Sequence, residues 1–492
     1  MPHPGVTTPG GFLLILAIML PAIGVIATIG LGGRAGERAA FLLLPAGAIV
    51  ALAIAGAIWR TGAPLQYNVG AWAPPLGIAL RADGFAAAMA LTTALVISAI
   101  FLFARAGFRT PDGTQEARRP LVFWTLVMAV WGALNLVWFA GDLFAEYVAL
   151  ELLTFAAVPL VALDGSAETL AAALRYLLFA LAGSVLYLLG VGLIYGAYGT
   201  IDFVLLAGRV EPEPAVWIAG ALMTVGLLAK TALFPLHLWL PPAHAGAPAA
   251  ASALLSALVV KGSFFLTVRL WFDALPGMLT VSAAQILGAL GAAAIITGSI
   301  LALRQPRLKL LIAYSTIAQI GYLFFIFPLA GTAWNGIAWT GGILQVVAHA
   351  VAKAAMFMAA GLIGEALGHD RIAGLGGIGR VIPLTILAFA LSGMSLMGLP
   401  PSGGFVAKAM LLTASVAEGQ WWWAVVILAG GLLAGGYLFR VLAPALANTP
   451  VTLHAQIARP RELVVLGLAI CALLLGLLPL RASPFLEIGR LP

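Results

Sequence analysis

The sequence predicts an all-α integral membrane protein with about 14 transmembrane helices. Three observations predict this class. Of the 492 residues, 62% are hydrophobic and only 9% are charged, whereas a soluble domain of this length needs a far more polar surface. The mean hydropathy is +1.08. The apolar runs are about 20 residues long, which is the length that a helix needs to cross a bilayer. Lipid is therefore the solvent for most of the surface.

The apolar runs follow one another along the chain with short polar connections. The first has no Lys or Arg before Arg34, so it is a retained helix rather than a secretory signal. Two runs contain proline-rich breaks, FPLHLWLPPAH in the seventh and GLPPSGGF in the twelfth. The predicted spans are 11–31, 39–58, 84–104, 121–140, 143–163, 174–198, 215–234, 247–271, 281–303, 308–330, 335–364, 381–398 with 402–417, 422–441 and 463–480.

The whole chain, residues 1–492, forms one membrane domain in this interpretation. Helices 1–3 occupy 1–120, a first unit (helices 4–8) occupies 121–271, a second (helices 9–13) occupies 281–441, and a last helix covers 463–480. The broken helices, 7 and 12, hold corresponding places in the two five-helix units, which predicts two inverted repeats.

The basic residues predict the orientation and exclude one class of partner. With the N-terminus outside, the inner loops hold 15 Lys and Arg residues and the outer segments hold 6. Both termini are then non-cytoplasmic, in the inner (cytoplasmic) membrane of the cell. The positive charges form no stripe, so the net charge of +7 indicates the lipid bilayer rather than nucleic acid. The single Cys471 excludes a disulfide framework and a cysteine-ligated iron–sulfur or zinc site, and the lack of a GxxxxGK[ST] motif excludes a nucleotide-driven pump. We expect no cofactor, metal or catalytic site in this chain.

Four of the five lysines lie inside apolar spans: Lys230, Lys261, Lys353 and Lys408. An arginine stays protonated, whereas a lysine ammonium removed from water can lose its proton. Ionisable groups at membrane depth indicate function, and these four predict a route for protons. The alternative is that each lysine extends to the membrane surface.

Glu151, in the middle of the fifth helix, is the predicted counter-ion for a membrane lysine. Glu146 points about 140° away on the same helix, so we expect it to face lipid or another subunit. His349 and Lys353 share one helix face, which predicts a relay step, although a lone histidine is more often a packed core residue. His237 and His244 flank the first break and either continue the path or line the breakpoint.

The chain resembles the antiporter-like proton-translocating subunits that respiratory complex I, Mrp-type cation/proton antiporters and membrane-bound hydrogenases share. The resemblance runs from about Gly141 to Phe405. It rests on the helix around Glu151 and on RYLLFALAGSVLYLLGVGLIYGAYGT, LLAKTALFPLHLWLPPAHAGAPAAASALLSALVVKG, LKLLIAYSTIAQIGYL, AHAVAKAAMF and GLPPSGGFVAK.

The resemblance implies a hydrated polar axis at mid-membrane. By matching position, Glu151 and Lys230 form the modulating ion pair, Lys261, His349 and Lys353 continue the axis, and Lys408 marks the exit. Gln319 stands where many members have His, so a titratable step there is lost or is taken by water.

The predicted function is a proton-translocating subunit of a multisubunit, redox-driven complex of the complex I or hydrogenase type. The alternatives are a Mrp-type Na⁺/H⁺ antiporter subunit, and a partner of an inorganic-carbon uptake complex or a non-conducting scaffold. The expected partners are other membrane subunits, H⁺ and, in the second case, Na⁺. If the complex is a translocase of the NADH:quinone oxidoreductase or hydrogenase kind, its catalytic chemistry belongs to other subunits.

Overall fold

The computed structural model describes residues 6–278, 280–331 and 334–491. Helices make up most of this part of the chain, and their order follows the predicted spans. They are α1 Phe12–Leu31, α2 Gly33–Thr61, α3 Gly84–Ala104, α4 Arg118–Phe139, α5 Leu143–Val161, α6 Ala167–Tyr198, α7 Phe203–Leu206, α8 Pro214–Thr231, α9 Leu240–Gly246, α10 Ala249–Leu254, α11 Val260–Arg269, α12 Val281–Arg304, α13 Leu308–Leu323, α14 Ile326–Ala330, α15 Gly336–Leu367, α16 Pro383–Met397, α17 Gly403–Ala417, α18 Trp421–Ala445, α19 Arg459–Leu474 and α20 Pro484–Glu487.

Within the described ranges, 13 helical segments are long and apolar enough to span a bilayer. Helices α16 and α17 are shorter and follow each other across a break, and together they supply the twelfth predicted span, which brings the total to fourteen. The segment Ala249–Ala274 is a single span in which π-helical turns, Leu255–Val259 and Leu270–Ala274, follow α10 and α11. The predicted fold class is therefore confirmed.

Side-chain caps set several of the helix starts. The Asp142 carboxylate accepts hydrogen bonds from Phe144 N and Ala145 N at the start of α5. Asp83, Ser166 and Ser402 cap α3, α6 and α17 in the same way. These side chains satisfy backbone donors that the first helical turn leaves unpaired.

Both predicted breaks are present. Helix α8 ends at Thr231 and α9 begins only at Leu240. Helix α16 ends at Met397, and Gly398, with φ of 85°, turns the chain before α17 begins at Gly403.

A β-hairpin is the feature that helical periodicity did not predict. Strands β1 (Leu65–Asn68) and β2 (Ala79–Ala82) pair antiparallel, with Leu65 opposite Ala82. The chain before α5 extends this pairing, because Gly141 N donates to Ala79 O at 3.1 Å and Leu143 N donates to Ile201 O at 3.1 Å. We call the side of the molecule that carries this structure the hairpin face.

Three spans form the centre of the molecule. In their most apolar stretches, 94% of Ala249–Ala274, 89% of Leu308–Ala330 and 89% of Gly336–Leu367 is buried, against 28% of the α1 span. The central spans therefore contact protein on nearly all sides, and polar groups on them cannot turn sideways to lipid.

Candidate functional site

The first part of the site joins α5, α6 and α8. Lys230 Nζ lies 3.0 Å from Glu151 Oε1 and 3.0 Å from Thr154 Oγ1. The Ser184 hydroxyl of α6 also donates to Glu151 Oε1. The side chains of Lys230 and Glu151 are 6% and 14% exposed. The pair predicted from the sequence is thus present as a nearly enclosed, hydrogen-bonded ion pair, the arrangement that two opposite charges need when they leave water.

Close helix packing brings Lys230 to this position. A Cβ atom at Gly183 of α6 would lie 2.6 Å from Gly226 O and 3.3 Å from Lys230 Cγ. A Cβ atom at Gly226 of α8 would lie 2.3 Å from Gly183 O. Because both positions are glycine, the two helix backbones touch, and Lys230 can pass to Glu151.

Small polar groups lead from Lys230 toward the centre. A cavity of about 10 Å³ borders Lys230, Thr154, Tyr176 and Ser263, and a space of roughly that size holds one water molecule. Thr231 Oγ1, next to Lys230 in sequence, donates to Ser263 Oγ at 3.0 Å. Ser263 lies on α11, the helix that carries Lys261.

Lys261 is fully buried and follows the first π-helical turn. Its ammonium donates to the Ser256 carbonyl oxygen within that turn. Ser256 Oγ lies 2.9 Å from Thr316 Oγ1 of α13. Single π-helical turns inside α-helices are frequent at functional sites, and this one connects Lys261 to α13.

Helix α13 supplies polar partners at successive turns. Lys353 of α15, fully buried, donates to Ile312 O at 3.0 Å and to the Ser315 hydroxyl. One turn after Ser315, Gln319 Nε2 donates to Leu396 O at 3.0 Å. A second amide, Gln345 Nε2, donates to Gln319 Oε1 at 3.2 Å.

Lys408 closes the series next to the second break. Its Nζ lies 2.5 Å from Leu396 O, the carbonyl that also accepts from Gln319. The same ammonium lies 4.0 Å from the centre of the Tyr322 ring on α13, which is cation–π geometry. The Leu396 carbonyl is in the last turn before the break, where helix carbonyls lose their intrahelical partners.

The histidines lie near this series, and five of their six ring nitrogens are buried without a hydrogen-bond partner among the described residues. Both ring nitrogens of His349 and of His244 are buried and have no partner among the described residues. His349 is one turn from Lys353, and His244 stacks on Phe357 with 4.6 Å between ring centres. His237 Nδ1 is likewise unpartnered, and its ring lies 5.6 Å from that of Phe234. Their part in a relay stays a prediction.

Lys230, Lys261, Lys353 and Lys408, which we call the lysine series, are 0–7% exposed. They do not extend to the membrane surface, as the alternative interpretation required. Lys230 has a carboxylate partner, whereas no carboxylate of the described chain lies within 4.0 Å of the other three. Those three bind carbonyl and hydroxyl oxygens, which accept strong hydrogen bonds from an ammonium and weaker ones from a neutral amine.

One expectation was wrong. Glu146 faces neither lipid nor a free surface: it is 0% exposed, and Tyr187 OH donates to its Oε2 at 2.9 Å. The angular argument treated the far side of α5 as open, but Tyr187 of α6 packs against Glu146 there.

Sequence reasoning also missed a buried ion cluster close to the hairpin face. Arg269, one of the basic residues assigned to the outer segments, lies 2.5 Å from Asp83 Oδ2 and 2.6 Å from Asp273 Oδ2. The i, i+4 spacing of Arg269 and Asp273 was a signal for part of it. In the described ranges, no three His, Cys, Asp or Glu side chains gather as metal ligands.

The chain is a polytopic helical membrane protein with an enclosed lysine series and a lysine–glutamate pair. These features are those of the antiporter-like membrane subunits. The chain belongs to the family described as NADH:quinone oxidoreductase/Mrp antiporter, TM, which matches residues 140–434.

Individual relatives include both NADH-quinone oxidoreductase subunits and Na(+)/H(+) antiporter subunits. The chain is 35% identical to an NADH-quinone oxidoreductase subunit of Desulforudis audaxviator, over 83% of this chain and 79% of that protein. It is 30% identical to a Na(+)/H(+) antiporter subunit of Bacillus subtilis, over 72% and 70%. A chain of the Mrp complex from Dietzia sp. DQ12-45-1b has a similar structure, with a TM-score of 0.87, 25% identity, and 95% and 94% of the two chains covered.

Proposed function

We propose that this chain translocates protons as a subunit of a redox-driven, multisubunit membrane complex. The observation that carries the proposal is the enclosed lysine series, which starts at the Glu151–Lys230 pair and continues through the hydroxyl and amide groups of α13 to Lys408. Enclosed ionisable groups in a membrane are retained where they perform a function.

The mechanism is electrostatic. While Glu151 lies 3.0 Å from Lys230, it stabilises the ammonium. When a charge change in a neighbouring subunit draws Glu151 away, Lys230 loses its counter-charge and gives up its proton. Lys261 accepts that proton through water and the Thr231–Ser263 hydroxyls. Proton transfer continues past Ser256, Thr316 and Lys353 to Lys408, whose place beside the break marks the exit.

The experiment compares Lys230→Met and Glu151→Gln in the intact complex, reconstituted in vesicles and driven by its own reaction. Both variants should stop coupled proton transport, because each removes one charge of the pair. Glu168→Gln, an exposed residue of α6, is the matched control and should transport normally. Normal transport by assembled Lys230→Met complex would refute the proposal.

A Na⁺/H⁺ antiporter subunit is the second candidate, favoured by the similarity to the Bacillus subtilis and Dietzia proteins. A pH gradient that forms only when Na⁺ is added to vesicles, without any redox substrate, would support this candidate instead of the first.

We further propose that the complex lies in the plasma membrane with both termini outside, and that helices 4–8 and 9–13 are inverted repeats. The orientation is supported by the excess of basic residues in the predicted inner loops. The repeats are supported by the breaks in the seventh and twelfth predicted spans, between α8 and α9 and between α16 and α17. After Cys471 is replaced by Ser, a cysteine at Gly113 should be labelled only from the cytoplasmic side. Labelling at that position from outside would contradict the proposed orientation.

A further inference from the structure

Glu146 is a buried carboxyl group that the proposed route does not use. It lies in the first turn of α5, fully enclosed, with Oε2 bound to Tyr187 OH at 2.9 Å. Its other oxygen, Oε1, is buried and has no partner among the described residues.

The charges around Glu146 do not neutralise it. Arg269 of α11 is the cation that acts on it, but that guanidinium is held between Asp83 and Asp273 at 2.5 and 2.6 Å. Asp142 of its own helix and Asp273 add further negative charge nearby, and Tyr187 faces it from α6. No cation of the described chain lies within 4.0 Å of the Glu146 carboxyl group. An unpaired carboxylate is unfavourable in this enclosed position, so a bound proton is the simplest compensation.

Two further carboxyl groups lead from Glu146 to the hairpin face. Asp142 is one turn away and caps α5. The backbones of Asp142 and Asp202 pair as an isolated antiparallel bridge. Burial raises the pKa of Asp202 from 3.8 to about 6, with backbone hydrogen bonds opposing the shift. Asp202 can therefore gain and lose a proton close to neutral pH.

On its other side, Glu146 is adjacent to the Glu151–Lys230 pair. Tyr187 and Ser184 are three residues apart on α6 and thus on the same face. Tyr187 binds Glu146 and Ser184 binds Glu151, so the two carboxyl groups of α5 are held by neighbouring hydroxyl groups across one helix interface.

We infer that Glu146 is a second proton-binding carboxyl group, which connects Glu151 with the hairpin face by way of Asp142 and Asp202. This inference rests on the proposed function, because it gives the modulating end of the lysine series its own proton connection to one face of the membrane.

The test uses Glu146→Gln in the intact complex. The amide oxygen of glutamine still accepts the Tyr187 hydrogen bond, so a purely structural role would leave transport unchanged. A proton-binding role predicts a loss of about tenfold or more in transport rate. It also predicts loss of an infrared C=O stretching band of a protonated carboxyl group. Glu168→Gln is the control and should change neither quantity.

Transport at the control rate with an unchanged infrared band would overturn the inference. Lys230→Met is measured in parallel: if it alone is inactive, the proposed function stands and the role of Glu146 fails. If Lys230→Met transports normally, the proposed function fails, and the infrared band still decides whether Glu146 binds a proton. Should Glu146→Gln not assemble, Tyr187→Phe removes only the hydrogen bond and must shift the same band; an unshifted band would overturn the inference.

Discussion

The lysine series has an excess of basic groups, whereas the region near the hairpin face has an excess of carboxyl groups. The series holds four amines and one contacting carboxylate, Glu151. Near the hairpin face, five carboxyl groups lie close to two guanidiniums: Asp83, Asp142, Glu146, Asp202 and Asp273, with Arg81 and Arg269. We call these seven residues the carboxyl cluster.

Neither region balances its charges if every group is ionised. Removal from water disfavours the charged form of an amine or a carboxyl group that has no counter-ion. Helix α5 joins the regions, since Glu146 belongs to the cluster and Glu151 contacts the series. From this comparison we expect a proton to be taken up on one side of α5 and displaced on the other.

The largest effect we expect separates the paired lysine from an unpaired one. Lys230→Met leaves Glu151 without its cation and should destabilise the protein by about 3 kcal/mol. Lys408→Met leaves no carboxylate behind, and the similar volume of methionine should keep its change below about 1.5 kcal/mol. Thermal unfolding of the purified complexes measures both.

The double variant Glu151→Gln/Lys230→Met is the control for that comparison. It should recover most of the lost stability, while transport stays absent. Equal destabilisation by Lys230→Met and Lys408→Met would mean that Lys230 does not stabilise the Glu151 carboxylate.

The second effect concerns the carboxyl cluster and pH. The pKa of Asp202 is about 6 in the folded chain, against an ordinary 3.8, so the folded state binds the proton more tightly. The contribution of Asp202 to the free energy of unfolding is therefore at its maximum below about pH 4 and is lost as the pH rises to about 6. The whole loss is at most roughly 3 kcal/mol.

Asp202→Asn should remove this decline, and asparagine can still cap α7. The unfolding temperature of the variant, relative to the parent, should thus rise between pH 4 and pH 6. A constant difference across that range would contradict the assigned pKa.

A third effect tests the geometry at the Lys408 end. Gly398 has φ of 85°, and a Cβ atom there would lie 2.8 Å from Lys408 Cδ. Gly398→Ala should cost about 1–2 kcal/mol and displace the lysine. Gly192→Ala in α6, where no described atom beyond the local helix backbone lies within 4 Å of the new Cβ, should be neutral or slightly stabilising. Similar unfolding temperatures for the two variants would show that the turn tolerates a side chain.

The smallest effect compares a hydroxyl group at the ion pair with one outside both regions. Ser184→Ala removes one hydrogen bond to Glu151 and should cost about 1 kcal/mol, with reduced transport. Ser299→Ala, a buried hydroxyl on α12, is the matched control and should leave transport unchanged. Equal transport rates for the two variants would show that Ser184 takes no part in proton transport.

Much of the fold follows from the sequence because lipid imposes a simple rule of length and polarity. Predicted spans such as 84–104 and 281–303 agree with α3 and α12 to within a residue. The hairpin was missed because LQYN and ALRA are short, and the chain that continues their pairing at Gly141 is distant in sequence.

The site was less predictable, because enclosure depends on neighbouring helices. The cost of an unpaired carboxylate predicted that Glu151 pairs with a membrane lysine, and the family resemblance implied that this lysine is Lys230. Glu146 could not be placed, because its environment comes from Tyr187 and Arg269, which are 41 and 123 residues away. The hydroxyl groups of α13 carry no signal in sequence, because serine and threonine are common in membrane helices and bind their own backbone.

Proton transport by the intact complex carrying Lys230→Arg tests the central claim most directly. Arginine keeps the positive charge and can pair with Glu151, but it does not release its proton. We expect an assembled complex whose redox-driven proton transport is abolished. Transport at the parent rate would show that Lys230 is a fixed charge and that no lysine deprotonation is needed at this position.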